Sequence, residues 1–345
     1  MGGTKLIFVV GQSGTGKTTM LQELTGMDLK VGVKINSGTM QYQVCPAIIH
    51  GEQYLFVDTA GFGAADMNDI ANFEDICNCL EALSPFVTVA GVLFVYGHPK
   101  TRMSKEDLKT VQWIECFCGP EFYRNVTIVT SQWDALSLDG VETTWESLDS
   151  LLAHHDVDQI LNPPDPYYGG SVYHHGFPRG EGSVDAYPTI LSLKRASPQR
   201  GDELKDLIRR RYADSKPAKL QIVCEVESGT PRLETEAAKA LKADVICTKI
   251  CILNSRVVVS VEGNSQQPPI SPEAPSTAPT QVESWFEKLS PWLETAKQAA
   301  VWFMEARWQG HESSNRKDSS AGPVWSLLGT FQDWWWGPPK KSRPL

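Results

Sequence analysis

Lys5-Leu6-Ile7-Phe8-Val9-Val10 runs directly into Gly11-Gln12-Ser13-Gly14-Thr15-Gly16-Lys17-Thr18, and Thr19-Met20-Leu21-Gln22-Glu23-Leu24 follows with helical apolar spacing. The apolar run is too short for a helix and too hydrophobic for an edge, so it reads as a central strand buried on both faces. The loop is G-x-x-x-x-G-K-T in the strand–loop–helix setting this motif requires. Its glycines let the backbone curl, so that N–H groups along Gly11, Gln12, Ser13, Gly14, Thr15, Gly16, Lys17, Thr18 and Thr19 can face phosphate oxygens, aided by the positive end of the helix dipole. In such a loop Lys17 reaches the β- and γ-phosphates and the Thr18 hydroxyl is a ligand for Mg²⁺.

Outward from the loop, Gln53-Tyr54-Leu55-Phe56-Val57-Asp58-Thr59-Ala60-Gly61 is a second apolar strand that delivers Asp58 to the sheet edge beside the phosphate loop. There Asp58 can hold a Mg²⁺-bound water, and the Gly61 N–H can meet a γ-phosphate because glycine allows close approach. Tyr42 to Ile49 reads as a strand joined to this one by a Gly51-Glu52 turn, as an antiparallel pair. Pro46 cannot donate to a ladder, which assigns that strand to an edge. Val87 to Tyr96 and Asn125 to Thr130 are further buried strands. The expected fold is therefore α/β in three layers: a mostly parallel sheet with one antiparallel edge strand, and helices on both faces.

Texture divides the chain. Residues 1–245 carry the α/β pattern, and 246–263 read as an extension of it. Residues 264–280 are rich in Pro, Ser and Thr and nearly free of large apolar groups, which reads as a linker. Residues 281–345 hold eight of the chain's eleven tryptophans. Within them Ser290-Pro291 starts a helix whose Trp292, Leu293, Ala296, Ala299, Ala300 and Phe303 share one face. This tail has eight basic and seven acidic residues, where residues 1–280 have 24 and 34. It is expected to pack on its own domain, or to contact a partner protein or, peripherally, a membrane.

A net charge of −9 gives no electrostatic reason to expect nucleic acid. The longest apolar stretch is about half the ~20 residues a membrane-spanning helix needs. Met1-Gly2-Gly3-Thr4-Lys5 has no signal-peptide design and no myristoylation pattern, so the expected location is cytoplasmic. Eight cysteines without a C-x-x-C pair read as packed or half-exposed thiols, not a metal or disulfide framework. The pairs His154-His155 and His174-His175 read as surface or helix-end residues.

The segments Gly-Gln-Ser-Gly-Thr-Gly-Lys-Thr-Thr (11–19), Asp-Thr-Ala-Gly-Phe (58–62), Ala90 to Phe94, Arg102-Met103-Ser104 and Thr130-Ser131-Gln132-Trp133-Asp134 together resemble the P-loop GTPases of the translation-factor and Ras-related class. More narrowly, Gly11 to Leu241 resembles stand-alone fungal G-domain proteins near the septin and IMAP/Toc-type (paraseptin) GTPases. The resemblance implies a GTP/GDP- and Mg²⁺-binding G domain that acts as a slow GTPase switch or scaffold. Thr39 becomes the switch threonine that closes on Mg²⁺ and the γ-phosphate, with Ser37 as its neighbour in Asn36-Ser37-Gly38-Thr39. Asp134 becomes the acceptor for guanine N1–H and the 2-amino group, where adenine presents an acceptor at N1. Lys17, Thr39 and Gly61 are then the catalytic set, with Thr18, Thr39 and Asp58 at the metal and Ser131 in the base loop.

This chain departs from the usual N-K-x-D at Ser131-Gln132-Trp133-Asp134, which removes the lysine stem over the base and the bracing asparagine. Gly170 to Gly176 is the candidate for a further base-contacting loop, without the expected Ser-Ala pair. Phe62 stands where Ras-like enzymes place a water-orienting glutamine, so turnover is expected to be slow or assisted. The resemblance implies face-to-face pairing of two G domains as that assistance. Arg102 is the first arginine to consider as an internal charge donor, against its reading as a surface turn residue. An ATPase or kinase with the same loop, or a degenerate G domain serving as an interaction module, are the alternative functions.

Overall fold

In the computed structural model the described residues are 3–29, 42–63, 68–97, 103–180, 190–215 and 217–261. Ser37, Thr39, Arg102 and the tryptophan-rich segment 281–345 lie outside them. The first half comprises β1 (Thr4–Val10), α1 (Lys17–Thr25), β2 (Gln43–Ile49), β3 (Glu52–Asp58), α2 (Asp69–Leu83), β4 (Val87–Gly97), α3 (Lys105–Cys118) and β5 (Val126–Ser131). The second comprises α4 (Leu138–Leu152), α5 (His155–Leu161), β6 (Ser171–His174), α6 (Leu193–Tyr212), α7 (Gln221–Glu227), α8 (Glu236–Lys242), β7 (Thr248–Leu253) and β8 (Arg256–Val261).

Six strands form one sheet in the order β2-β3-β1-β4-β5-β6. The run from Leu6 to Val10 is fully buried and sits inside this sheet, flanked in parallel by β3 and β4. Its register sets Val9 opposite Asp58, so the strand that launches the phosphate loop and the strand that delivers the acid end together. β2 is antiparallel to β3 and forms the edge, where the missing N–H of Pro46 is tolerated. The turn between them is one residue earlier than expected. His50 and Gly51 take φ 50° and 83°, the doubly positive pattern that suits a two-residue hairpin, and Ile49 pairs with Glu52.

Alternating β1 side chains serve two faces. Ile7 and Val9 join Met20, Leu21 and Leu24 of α1 and Leu204, Leu207 and Ile208 of α6 in one core. Phe8 points to the other face and meets Phe117 of α3 edge-on at 6.2 Å, with Trp113 stacked on Phe117 at 4.7 Å. Each such buried side chain contributes roughly 1.5–3 kcal/mol, which ties both helical layers to the strand carrying the loop. This is the three-layer α/β sheet with one antiparallel edge pair.

Beyond it, β7 and β8 make a separate antiparallel hairpin through Asn254 and Ser255, both at positive φ. The hairpin is fixed by a side chain acting like a neighbouring strand. Gln221 Nε2 donates to the Val257 carbonyl at 2.7 Å, and the Val257 N–H donates to Gln221 Oε1 at 2.7 Å. Cys77 and Cys79 of α2 and Cys116 and Cys118 of α3 are buried free thiols, pushed up by burial. Among the described residues no group of three metal-capable side chains occurs, and no helix is long and apolar enough to cross a membrane.

Candidate functional site

The phosphate loop lies between the end of β1 and the start of α1, with Gly14 and Gly16 at φ 80° and 89°. Lys17, only 6% exposed, curls back on the loop and donates to the carbonyls of Gly11 at 3.0 Å and Gln12 at 2.7 Å. Burial lowers its ammonium to about 8, against a smaller upward pull from Asp58. Thr18 Oγ1 donates to Asp58 Oδ2 at 2.6 Å across a sequence separation of 40 residues. Asp58 is fully buried, and burial raises its carboxyl despite the Thr18 hydrogen bond and the Lys17 charge.

The other carboxylate oxygen, Asp58 Oδ1, is buried without a hydrogen-bond partner. An orphaned buried acceptor is expensive unless something fills the position. A hard cation carrying its own waters, held by the Thr18 hydroxyl and facing Asp58, meets that need with the oxygen donors Mg²⁺ prefers. The residues present therefore fit a Mg²⁺-phosphate group.

The segment after Asp58 is seated on the phosphate loop. Thr59 donates to the Val9 carbonyl through both its N–H (3.2 Å) and its hydroxyl (2.9 Å), and the Phe62 N–H donates to the Gly11 carbonyl at 3.3 Å. Buried Asn72 of α2 supports the turn from behind, its Nδ2 donating to the Ala60 carbonyl at 2.9 Å. Gly61 is required by contact: a Cβ there would stand 2.3 Å from the Ser13 nitrogen. Phe62 turns inward, is 2% exposed and packs on Trp113 at 4.5 Å. No water-orienting group is presented from that position.

At the other end of the loop, β5 delivers Ser131 to Asp134. Ser131 Oγ donates to the Thr15 carbonyl at 2.7 Å, and Gln132, at φ 66°, donates through Nε2 to the Gly14 carbonyl at 2.6 Å. The bracing expected to be lost with the asparagine is thus supplied by these two residues. Trp133 does not cover a base. It is fully buried, donates to Thr130 Oγ1 at 2.9 Å, and packs among Trp145, His174 and Phe177.

Asp134 is half-buried, and its oxygens are engaged by the segment following β6. Oδ2 accepts the Leu193 N–H at 2.8 Å, and Oδ1 lies 3.5 Å from Arg200 Nη1. Behind it, Arg200 Nε is 2.7 Å from Glu23 Oε1, and His175 Nε2 is 2.7 Å from Glu23 Oε2. His175 is therefore interior and His174 half-buried, contrary to the surface reading; burial lowers both, His174 to about 4. His154 and His155 are exposed at the start of α5, as expected.

The structure thus brings together Gly11 to Thr19, Asp58, Gly61, Ser131 and Asp134. Glu23, Asn72, His175 and Arg200 escape a sequence reading, because each acts across more than ten residues from a helix or loop with no motif of its own.

Residues 6–116 match the family model described as "50S ribosome-binding GTPase". Similar curated proteins are the GTPase Der of Cronobacter sakazakii (strain ATCC BAA-894), 24% identical over 153 residues, and that of Enterobacter sp. (strain 638), 26% identical over 153. Each alignment covers 44% of this chain, which spans only 29% of those relatives' length. Among solved structures, Toc33 from Arabidopsis thaliana in complex with Mg²⁺ and GMPPNP is 18% identical, covering 61% of this chain and 87% of that one, with a TM-score of 0.41. Era in complex with MgGDPNP and nucleotides 1506–1542 of 16S ribosomal RNA is 16% identical, covering 64% and 60%, with a TM-score of 0.39. Residues 6–116, with the loop, acid and strand order described above, are thus similar to the core of a P-loop GTPase domain.

Proposed function

We propose that this protein binds GTP and GDP with Mg²⁺, hydrolyses GTP slowly, and changes its contacts with the nucleotide state. The observation that carries this is the Thr18–Asp58 pair at 2.6 Å with Asp58 Oδ1 left buried and unpartnered beside the Lys17 ammonium. Lys17 would exchange its two carbonyl contacts for β- and γ-phosphate oxygens, and the added negative charge favours its protonated form. Thr18 and Asp58 would hold Mg²⁺ and its waters, which neutralises charge on the phosphates. Guanine preference rests on Asp134 at the end of the strand beside the loop. Slow turnover rests on Phe62, buried against Trp113.

Calorimetry with GDP, GTP and ATP, with and without Mg²⁺, tests this reading. Guanine nucleotides are expected to bind in a Mg²⁺-dependent manner, and Lys17→Ala is expected to abolish binding. Equal or tighter binding of ATP would overturn the guanine assignment.

A further inference from the structure

Asp134 can read a base only if its carboxylate is held in one orientation. The hydrogen bonds around it both come from α6, one to each oxygen. Leu193 donates its N–H to Oδ2 at 2.8 Å, and Arg200 approaches Oδ1 at 3.5 Å. A carboxylate has about four lone-pair sites, so these contacts leave room for the two donors of a guanine edge. Arg200 acts a second time on the same group. Its Nη1 donates to the Leu191 carbonyl at 2.7 Å and thereby fixes the turn that presents the Leu193 N–H.

The arginine is itself built in. It is 4% exposed, and its Nε is held 2.7 Å from Glu23 Oε1, a carboxylate 2% exposed that also meets His175 at 2.7 Å. Two glycines make the seat. A Cβ on Gly201 would stand 2.1 Å from the Glu23 carbonyl oxygen, so glycine alone lets α6 come down on α1. Gly176, at φ 107°, lies under Arg200, where a Cβ would be 2.9 Å from Nη1. Glu23 belongs to α1, the helix that starts at the phosphate loop. The chain Glu23–Arg200–Asp134 therefore runs from the phosphate helix to the base-reading acid.

We infer that Arg200, anchored by Glu23, is a positioning residue that orients Asp134 for the guanine base and so sets base specificity. This rests on the guanine-nucleotide reading above. Inosine diphosphate lacks only the 2-amino group that Asp134 would accept from, so the ratio of GDP to IDP affinity measures how well that acid is placed.

The experiment measures GDP and IDP affinity by calorimetry for the full chain and for Arg200→Gln, Arg200→Lys and Glu23→Gln, with thermal melting alongside. The wild type is expected to prefer GDP. Arg200→Gln and Glu23→Gln are each expected to lower the GDP/IDP ratio by up to about tenfold, the scale of one charged hydrogen bond, with IDP, which keeps only the N1–H contact, weakened less than GDP. Arg200→Lys keeps the charge and is expected to retain part of the ratio. Lower melting temperature with the wild-type ratio retained would make the cluster purely structural and overturn the inference. If Arg200→Gln fails to fold, Glu23→Gln, which keeps size and shape, decides by the same ratio. A wild type that does not prefer GDP over IDP or ATP would instead remove the guanine reading itself.

Discussion

At the residue scale the site works by filling or leaving single positions. Asp58 has one oxygen satisfied by Thr18 and one buried with nothing, an arrangement that favours a cation with ordered waters over an apo core. Gly61 is the matching case in space, since its missing Cβ would meet the Ser13 nitrogen at 2.3 Å and the Ser13 Cα at 2.5 Å. Both neighbours are backbone, and no rotamer change relieves the clash. Gly61→Ala is therefore expected to destabilise the protein by about 1–3 kcal/mol and to weaken Mg²⁺-GTP more than GDP. Denaturant unfolding and calorimetry check it, and wild-type values for both would refute the packing argument. Asp134→Asn presents an amide donor in place of an acceptor, which suits the C2 carbonyl of xanthine. Relative affinity is expected to move toward xanthosine diphosphate by at least about tenfold; an unchanged preference would mean Asp134 does not touch the base.

At the element scale, α3 is held to the sheet by its aromatic side and to α5 by a polar one. Glu115, fully buried, accepts from Gln159 Nε2 at 2.8 Å through Oε1, while Oε2 has no partner. Burial, reinforced by the neighbouring Asp156 charge, holds its carboxyl well above the ordinary 4.5. The native state therefore keeps a proton that the unfolded chain releases. Stability contributed by this group is present below about 4.5 and is lost as pH rises toward the folded value. Glu115→Gln removes that titration and leaves an acceptor for Gln159. The variant is expected to be more stable than wild type at pH 7 and to show a flatter stability profile above pH 4.5. Urea unfolding across pH measures this, and parallel profiles for the two proteins would rule it out. The same element logic explains α6, which breaks at Ala196 (φ −129°) just before Pro198 and then packs Gly201 onto α1.

For the whole molecule, the proposed function raises the question of what would complete GTP hydrolysis. The position after Gly61 is committed to the core through Phe62 and Trp113, so an isolated domain has no side chain there to orient water. Dilute protein is expected to turn over GTP no faster than about 10⁻⁴ to 10⁻³ s⁻¹, the scale of unassisted Ras-type domains. A rate that climbs with protein concentration would support pairing of two domains. Fast turnover independent of concentration would sink the prediction and call for a catalytic group outside the described residues.

The sequence by itself determined the phosphate half of this protein. Gly11 to Thr18 after an apolar strand, Asp58 and Gly61 at the end of another, and Pro46 on an edge are local patterns whose chemistry depends on spacing along the chain. A loop that wraps a phosphate uses consecutive backbone groups, so its signature is consecutive too. The half proposed to hold the base was legible only as far as Asp134. Ser131 and Gln132 looked like losses against N-K-x-D, yet the fold makes both donate to the phosphate loop at 2.7 and 2.6 Å. His174 and His175 looked superficial, yet His174 is half-buried at the end of β6 and His175, just beyond it, is buried. Whether a hydroxyl, an amide or an imidazole finds a partner depends on which distant backbone atom the fold brings within 3 Å. Glu23, His175, Arg200 and Asp134 meet through helix packing over separations of up to 177 residues, which no local pattern encodes.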